Sequence, residues 1–183
     1  MSSIGRLDTG LKRKLKTGLV VAFIAALIGI FIHPDYRQGE PSLHGQTAKD
    51  FALVLNGKPT HLSSLRGQVV VLNFWATWCP PCVEEAPALD KLQRRIGPRG
   101  GIVLGVSLDD DQKAYEDFIQ ANGITYPTYR DPTKQIAAEY GTSMYPETYI
   151  IDRDGRVDRK IIGSQDWTSS EMMDHLNSVL NER

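Results

Sequence analysis

The sequence predicts an α/β domain in which a mixed sheet lies between layers of helix. Three observations carry this expectation. Val69-Val-Val-Leu72 is a continuous apolar, β-branched run, the pattern of a strand covered on both faces. A helical periodicity follows it at once, with Cys82, Ala86, Leu89, Leu92 and Ile96 at three- and four-residue spacing. A second apolar run, Ile102-Val-Leu-Gly-Val106, completes a β-α-β order, which makes the two strands parallel with a right-handed crossover.

The remaining elements follow in chain order. Phe51-Ala-Leu-Val-Leu and Thr60-His-Leu flank Asn56-Gly57, a pair suited to a hairpin turn. Leu62 to Leu65 reads as a helical turn. The helix from Cys82 carries an internal proline, Pro87, and Gly97-Pro98 ends it. Asp109-Asp-Asp111 reads as the cap and first turn of a helix bearing Tyr115, Phe118 and Ile119, stopped at Asn122-Gly123. Asp131-Pro132 opens a short helix through Ile136 and Tyr140. Thr148-Tyr-Ile-Ile151 and Val157–Ile162 flank Asp152-Arg-Asp-Gly155, a second hairpin signal. Thr168-x-x-Glu171 reads as a capping box for a last helix with Met172, Met173, Leu176, Val179 and Leu180 on one face.

Charge is unevenly spread. Residues 1–33 hold five Lys or Arg and one Asp, leaving 16 basic residues against 21 acidic, about −5, for the rest. An acidic domain without a basic patch argues against nucleic acid as a partner. The basic flank, 1–16, leads into Thr17–Ile32, sixteen residues without a charge. With His33 the stretch reaches the ~17-residue lower limit for a bilayer span. A cleaved signal peptide is the rival, but Gly-Ile-Phe-Ile-His-Pro offers a poor cleavage site. The expectation is a signal anchor over 17–33, a linker over 34–46 and a folded domain over 47–183. The positive flank places that domain on the extracytoplasmic side of a cytoplasmic membrane.

The chemistry is concentrated in Cys79-Pro80-Pro81-Cys82, where a central strand hands over to a helix N-terminus. Side chains three apart at a helix start share a face, at about 5–6 Å between Cβ atoms, so a small adjustment permits a disulfide. Unpaired N–H groups and the helix dipole favour a thiolate. Cys79, the outer member, is expected to be the nucleophile and Cys82, one turn in, the resolving thiol. An inert staple disulfide is the alternative. Zinc would need histidines, and none of the four has ligand spacing to the pair. The only cofactor expected is the Cys79–Cys82 disulfide itself.

The stretch Asn73-Phe-Trp-Ala-Thr-Trp-Cys-Pro-Pro-Cys resembles the active-site motif of thioredoxin-like proteins. Asp50-Phe51, Leu65-Arg-Gly67 and Pro146-Glu-Thr-Tyr-Ile-Ile-Asp152-x-Asp-Gly155 resemble the TlpA/ResA/CcmG group, membrane-anchored thiol–disulfide reductases, many of which act in cytochrome c maturation. The resemblance covers about residues 45–183. It implies a thioredoxin-like three-layer sandwich with a mixed central sheet, helices on both faces and an N-terminal hairpin extension, preceded by one transmembrane helix.

The resemblance also implies site residues. Pro146 matches the cis-proline that faces the cysteine pair, with exposed backbone beside it on which an extended substrate pairs. Tyr145 and Trp78 border that groove. Glu85, three residues after Cys82, stands where the group often has a carboxylate that accepts or relays the Cys82 proton. Trp75 flanks the site or belongs to the core, and Pro87 matches the kink proline. Asn73 replaces the buried aspartate of ordinary thioredoxins, which leaves Glu85, Glu147 or water for proton relay. Pro80 and Pro81 have no N–H to offer Cys79, and the Cys82 N–H remains.

The implied partners are oxidised exported proteins, such as the heme-binding Cys-x-x-Cys-His of apocytochrome c, and a membrane thiol electron donor. A peroxidase is a second enzyme reading, although Ala76 stands where peroxiredoxins place a threonine. A copper-holding or protein-binding module is the non-enzymatic one.

Overall fold

The computed structural model describes residues 9–32, 43–55 and 57–182, with side chains of the first helix described only at 14 and 16–26. The chain divides into two compact units, Met1–Gln38 and Gly39–Arg183. In the first, α1 is a 24-residue helix, Thr9–Ile32. Among the described residues no helix is long and apolar enough to cross a membrane. The expected basic flank, anchor and linker each fall partly outside the described residues, as does the turn residue Asn56.

The second unit is built on a five-stranded sheet and a separate hairpin. The hairpin of β1 (Ala52–Leu55) and β2 (Lys58–His61) forms a sheet of its own. The main sheet takes β3 (Val69–Trp75), β4 (Gly101–Ser107), β5 (Thr128–Arg130), β6 (Glu147–Ile151) and β7 (Val157–Ile162) in the order β5-β4-β3-β6-β7. β4 runs parallel to β3, and β6 antiparallel to it, so the sheet is mixed as expected. All seven residues of β3 are buried, which is why the run shows no polar alternation. Two apolar clusters flank the sheet. One gathers Phe74, Tyr140 and Tyr149 with both cysteines, and the other Leu89, Ile150 and Trp167 with the last helix.

The helices are α2 (Pro80–Ile96), α3 (Gln112–Asn122), α4 (Gln135–Glu139) and α5 (Ser170–Asn181), with a 3₁₀ turn at Leu62–Leu65. Pro87 lies inside α2 and cannot donate to the Val83 carbonyl, yet the helix runs on. The turn between β6 and β7 needs a left-handed residue, and Gly155 supplies it at φ +79°.

Several boundaries differ from the sequence reading. β3 extends three residues past Leu72, to Trp75, because Asn73 finds polar partners inside the sheet. β5 has no apolar run and was not expected; it pairs at the edge with Gly105–Ser107. α4 begins at Gln135 rather than near Pro132, because Asp131 holds the preceding turn by accepting from Thr133 and from the Ile136 N–H at 2.9 Å. The capping box at Thr168 does not form. Asp166 accepts from both the backbone and the hydroxyl of Thr168, and Ser169 caps α5 instead through the Met172 N–H. Gly45 and Gln46, at the end of the stretch read as linker, pair with Val157 at the start of β7, and the Ala48 N–H just beyond donates to the Gly155 carbonyl in the turn before it.

Candidate active site

The site lies where the C-terminal end of β3 meets the first turn of α2. Ala76, Thr77 and Trp78 connect the two, and Cys79 is the residue flanking α2, with φ −101° and ψ 100°. Pro80 and Pro81 occupy the first helical positions, where a missing N–H costs nothing and the fixed φ suits the helix. Cys79 and Cys82 form a disulfide with Cα atoms 5.3 Å apart, inside the ordinary range. Both residues are nearly covered, Cys79 at 4% exposure and Cys82 at 2%, so the outer position expected for Cys79 is a small difference. The N–H groups of Cys82 and Val83 both donate to the Cys79 carbonyl, at 3.0 and 3.1 Å. The one N–H that the prolines leave is therefore engaged by backbone in the oxidised state.

Glu85 is three residues on from Cys82 in α2 and is 5% exposed. Three residues supply donors to its carboxylate, one from β3 and two from the segment after β7. Asn73 Nδ2 in β3 donates to Oε1 at 2.9 Å, and the Gln165 N–H and Trp167 Nε1 donate to Oε2 at 3.3 and 3.2 Å. Burial pushes the carboxyl up from its ordinary value, and the bonds from Trp167, Gln165 and Asn73 offset this only in part. A proton-accepting group with a raised value, buried on the helix face of the resolving cysteine, suits transfer from a thiol. Asn73 also donates to Thr148 Oγ1 at 2.9 Å, so the asparagine orients the carboxylate. Trp167 was not singled out from the sequence. It is a lone aromatic in a polar stretch, and only the return of the chain over α2 after β7 places it here.

The second wall comes from β6. Its register sets Glu147 opposite Phe74 of β3, which brings Pro146 to the end of β3 that carries the cysteines. The Tyr145–Pro146 bond is cis, as the resemblance implied. Tyr145 packs on the cluster that holds Cys79 and Cys82. Trp78 and Tyr145 meet edge to face, with centroids 5.9 Å apart at 84°. Trp78 is 56% exposed and Met144 60%, so the two and Tyr145 form an apolar rim beside a covered disulfide. Among the described residues no backbone hydrogen bond engages Ser143, Met144 or Tyr145.

Trp75 is core rather than rim. It packs on Tyr115 and Phe118 with centroids 6.1 and 5.0 Å away, and its Nε1 has no acceptor among the described residues. Gly105 leaves the space, since a Cβ there would stand 2.9 Å from that nitrogen. The acidic run also divides. Asp111 caps α3 through the N–H groups of Lys113 and Ala114, whereas Asp109 is buried under the active-site loop. Asp109 accepts from the Thr77 N–H at 3.1 Å, from Thr77 Oγ1 at 2.6 Å and from Ser107 Oγ at 2.7 Å. It anchors the loop that presents Trp78 and Cys79. No group of three or more metal-ligating side chains occurs among the described residues.

The AhpC/TSA family profile matches residues 44–160. Thiol-disulfide oxidoreductase ResA of Bacillus subtilis is 32% identical over 172 residues, 92% of this chain and 94% of that protein. The protein of the same name from Geobacillus thermodenitrificans is 32% identical over 167 residues, 90% of this chain and 94% of its own. Among solved structures, thiol:disulfide interchange protein DsbE from Chlorobium tepidum superposes with a TM-score of 0.71 at 29% identity, covering 75% of this chain and 98% of its own. StoA from Bacillus subtilis gives 0.61 at 25% identity, covering 71% and 97%.

Proposed function

On the premise that the chain belongs to the AhpC/TSA family, within its thioredoxin-like TlpA/ResA/CcmG group of thiol–disulfide oxidoreductases, we propose that it reduces disulfides in exported proteins. The disulfide-bearing Cys-x-x-Cys beside an exposed apolar rim is the observation that carries this reading. The rim gives a protein substrate something to bind, and the covered sulfur pair limits casual thiols. The apolar stretch over 17–33 and its basic flank support a membrane anchor with the domain on the extracytoplasmic side.

In the reduced form the Cys79 thiolate attacks one sulfur of the substrate disulfide and the other leaves as a thiolate. Cys82 then attacks Cys79 in the mixed disulfide. Its proton passes to Glu85, the second substrate thiol departs, and the Cys79–Cys82 disulfide forms. Two electrons reach the substrate, and a membrane thiol donor restores the pair. The substrate lies extended along Ser143–Tyr145, whose backbone makes no backbone hydrogen bond among the described residues. The Cys-x-x-Cys-His segment of apocytochrome c is a substrate of this kind. A peroxidase gains no support from the site, because Ala76 offers no hydroxyl three residues before Cys79.

Cys82→Ser should trap a mixed disulfide on Cys79 when the full chain meets an oxidised Cys-x-x-Cys-His peptide, and Cys79→Ser should trap none. A trapped adduct on Cys82 instead would reverse the assigned roles.

A further inference from the structure

Glu147 directly follows the cis-proline, and its carboxylate is the meeting point of a buried network that the thiol chemistry does not use. Its side chain is 1% exposed and that of Lys160, its partner on β7, 5%. Lys160 Nζ stands 3.0 Å from Glu147 Oε1. Thr142 Oγ1 donates to the same oxygen at 2.8 Å. The Tyr149 hydroxyl lies 2.6 Å from it and 2.8 Å from the Tyr140 carbonyl, and its single hydrogen belongs on the closer, charged acceptor. Burial and the bond to Glu147 push the Tyr149 phenol up, so it stays a donor. Three donors, one of them the Lys160 ammonium, therefore meet on one oxygen of Glu147.

Buried ion pairs are poor devices for stability, since an apolar pair of the same volume is often as good. Their service is to fix geometry, and here the geometry fixed is that of the groove. Thr142 and Glu147 are the two ends of the segment Ser143-Met144-Tyr145-Pro146, and one carboxylate oxygen ties both ends together. Lys160 pairs with Tyr149 across β6 and β7 and lies 5.5 Å from its ring, so the cation is held in turn by the sheet.

We propose that Glu147, Lys160 and Thr142 are positioning residues for substrate, a clamp that holds the 143–146 backbone in the conformation an extended peptide pairs with. The proposal rests on the reading that substrate lies along this segment. A clamped segment is already ordered before binding, so a substrate strand need not order it. Loosening the clamp should therefore cost peptide affinity and leave the sulfur chemistry alone. A small disulfide has no backbone to pair and should not sense the change.

The test uses the full chain with two substrates, a Cys-x-x-Cys-His peptide disulfide and hydroxyethyl disulfide. Glu147→Gln leaves Lys160 buried without its counter-charge, and Thr142→Val removes one tie without orphaning any charge. Each should raise KM for the peptide about tenfold, or ~1.4 kcal/mol, with kcat little changed. The rate with hydroxyethyl disulfide should stay within about twofold, a change of ~0.4 kcal/mol. In Glu147→Gln/Lys160→Met the glutamine oxygen still accepts from Thr142 and Tyr149 and no charge is orphaned, so peptide KM should return toward the wild-type value. If Glu147→Gln does not fold, Thr142→Val decides alone. Unchanged peptide KM in the folded variants overturns the proposal, as does an equal loss on both substrates. A wild-type protein that does not favour the peptide over hydroxyethyl disulfide overturns the groove reading itself.

Discussion

Replacing Glu85 with glutamine removes the base next to Cys82 and keeps its volume. The network can absorb the change. The glutamine oxygen can take the Oε2 position and keep the bonds from Trp167 and Gln165, while its amide faces an Asn73 side chain turned to present oxygen. Thr148 can then donate where it accepted. The fold should survive and the proton transfer should not. Positioned general bases contribute about 10²–10⁴-fold, so the Cys82 step should slow by that factor, ~3–5 kcal/mol on its barrier. Attack by Cys79 should be little changed. In rapid-quench experiments Glu85→Gln should accumulate the mixed disulfide that the wild type passes through. Burial raises the folded value of Glu85 above the ~4.3 of an unfolded chain. Between those values the folded state keeps a proton the unfolded state has lost, so wild-type stability falls as pH rises through the window. Glu85→Gln lacks this loss and should gain on the wild type in urea midpoint from pH 4 to pH 8. The reasoning fails if Glu85→Gln resolves its mixed disulfide at the wild-type rate, or if Cys79 alkylation slows by the same factor.

Two further outcomes follow from one buried and one partly buried carboxylate. Asp109→Asn sets amide hydrogens against the donors of Thr77 and Ser107, and should cost about 1–3 kcal/mol in urea unfolding, with an unchanged midpoint as the contrary result. Asp158 is raised by burial but lowered more by the bond from His175 Nε2 at 2.7 Å and by the charges of His175, Arg159 and His44, so its net position is below the ordinary value. The stability this gives is present above the unfolded value of ~3.9 and lost as pH falls through the folded one. The stability gap between wild type and Asp158→Asn should therefore narrow between pH 6 and pH 3, and a constant gap would refute the assignment.

The elements read most clearly from sequence were those whose whole environment is apolar. β3, β4 and the face of α2 announce themselves because burial on every side demands an uninterrupted or strictly periodic pattern. The cysteine pair was legible for the same reason, as the junction between two such patterns. Polar residues that fold inward gave no such signal. Asp109 looked like a helix cap because capping also selects aspartate, and only the loop above it distinguishes the two roles. Trp167 and Lys160 lie far from α2 and Glu147 in sequence, and their contacts exist only once β7 has returned across the sheet. Pro146 and Glu85 were legible through resemblance, and the register of β6 on β3 supplies the physical reason for the first.

The central claim is that the pair works as a reductant, and the reduction potential of Cys79–Cys82 in the intact chain tests it most directly. Equilibration with dithiothreitol or glutathione, followed by alkylation and mass analysis, reads the value. A reductant kept charged by a membrane thiol donor should lie near the thioredoxin value of about −270 mV. A value near about −120 mV would mark an oxidant and contradict the account.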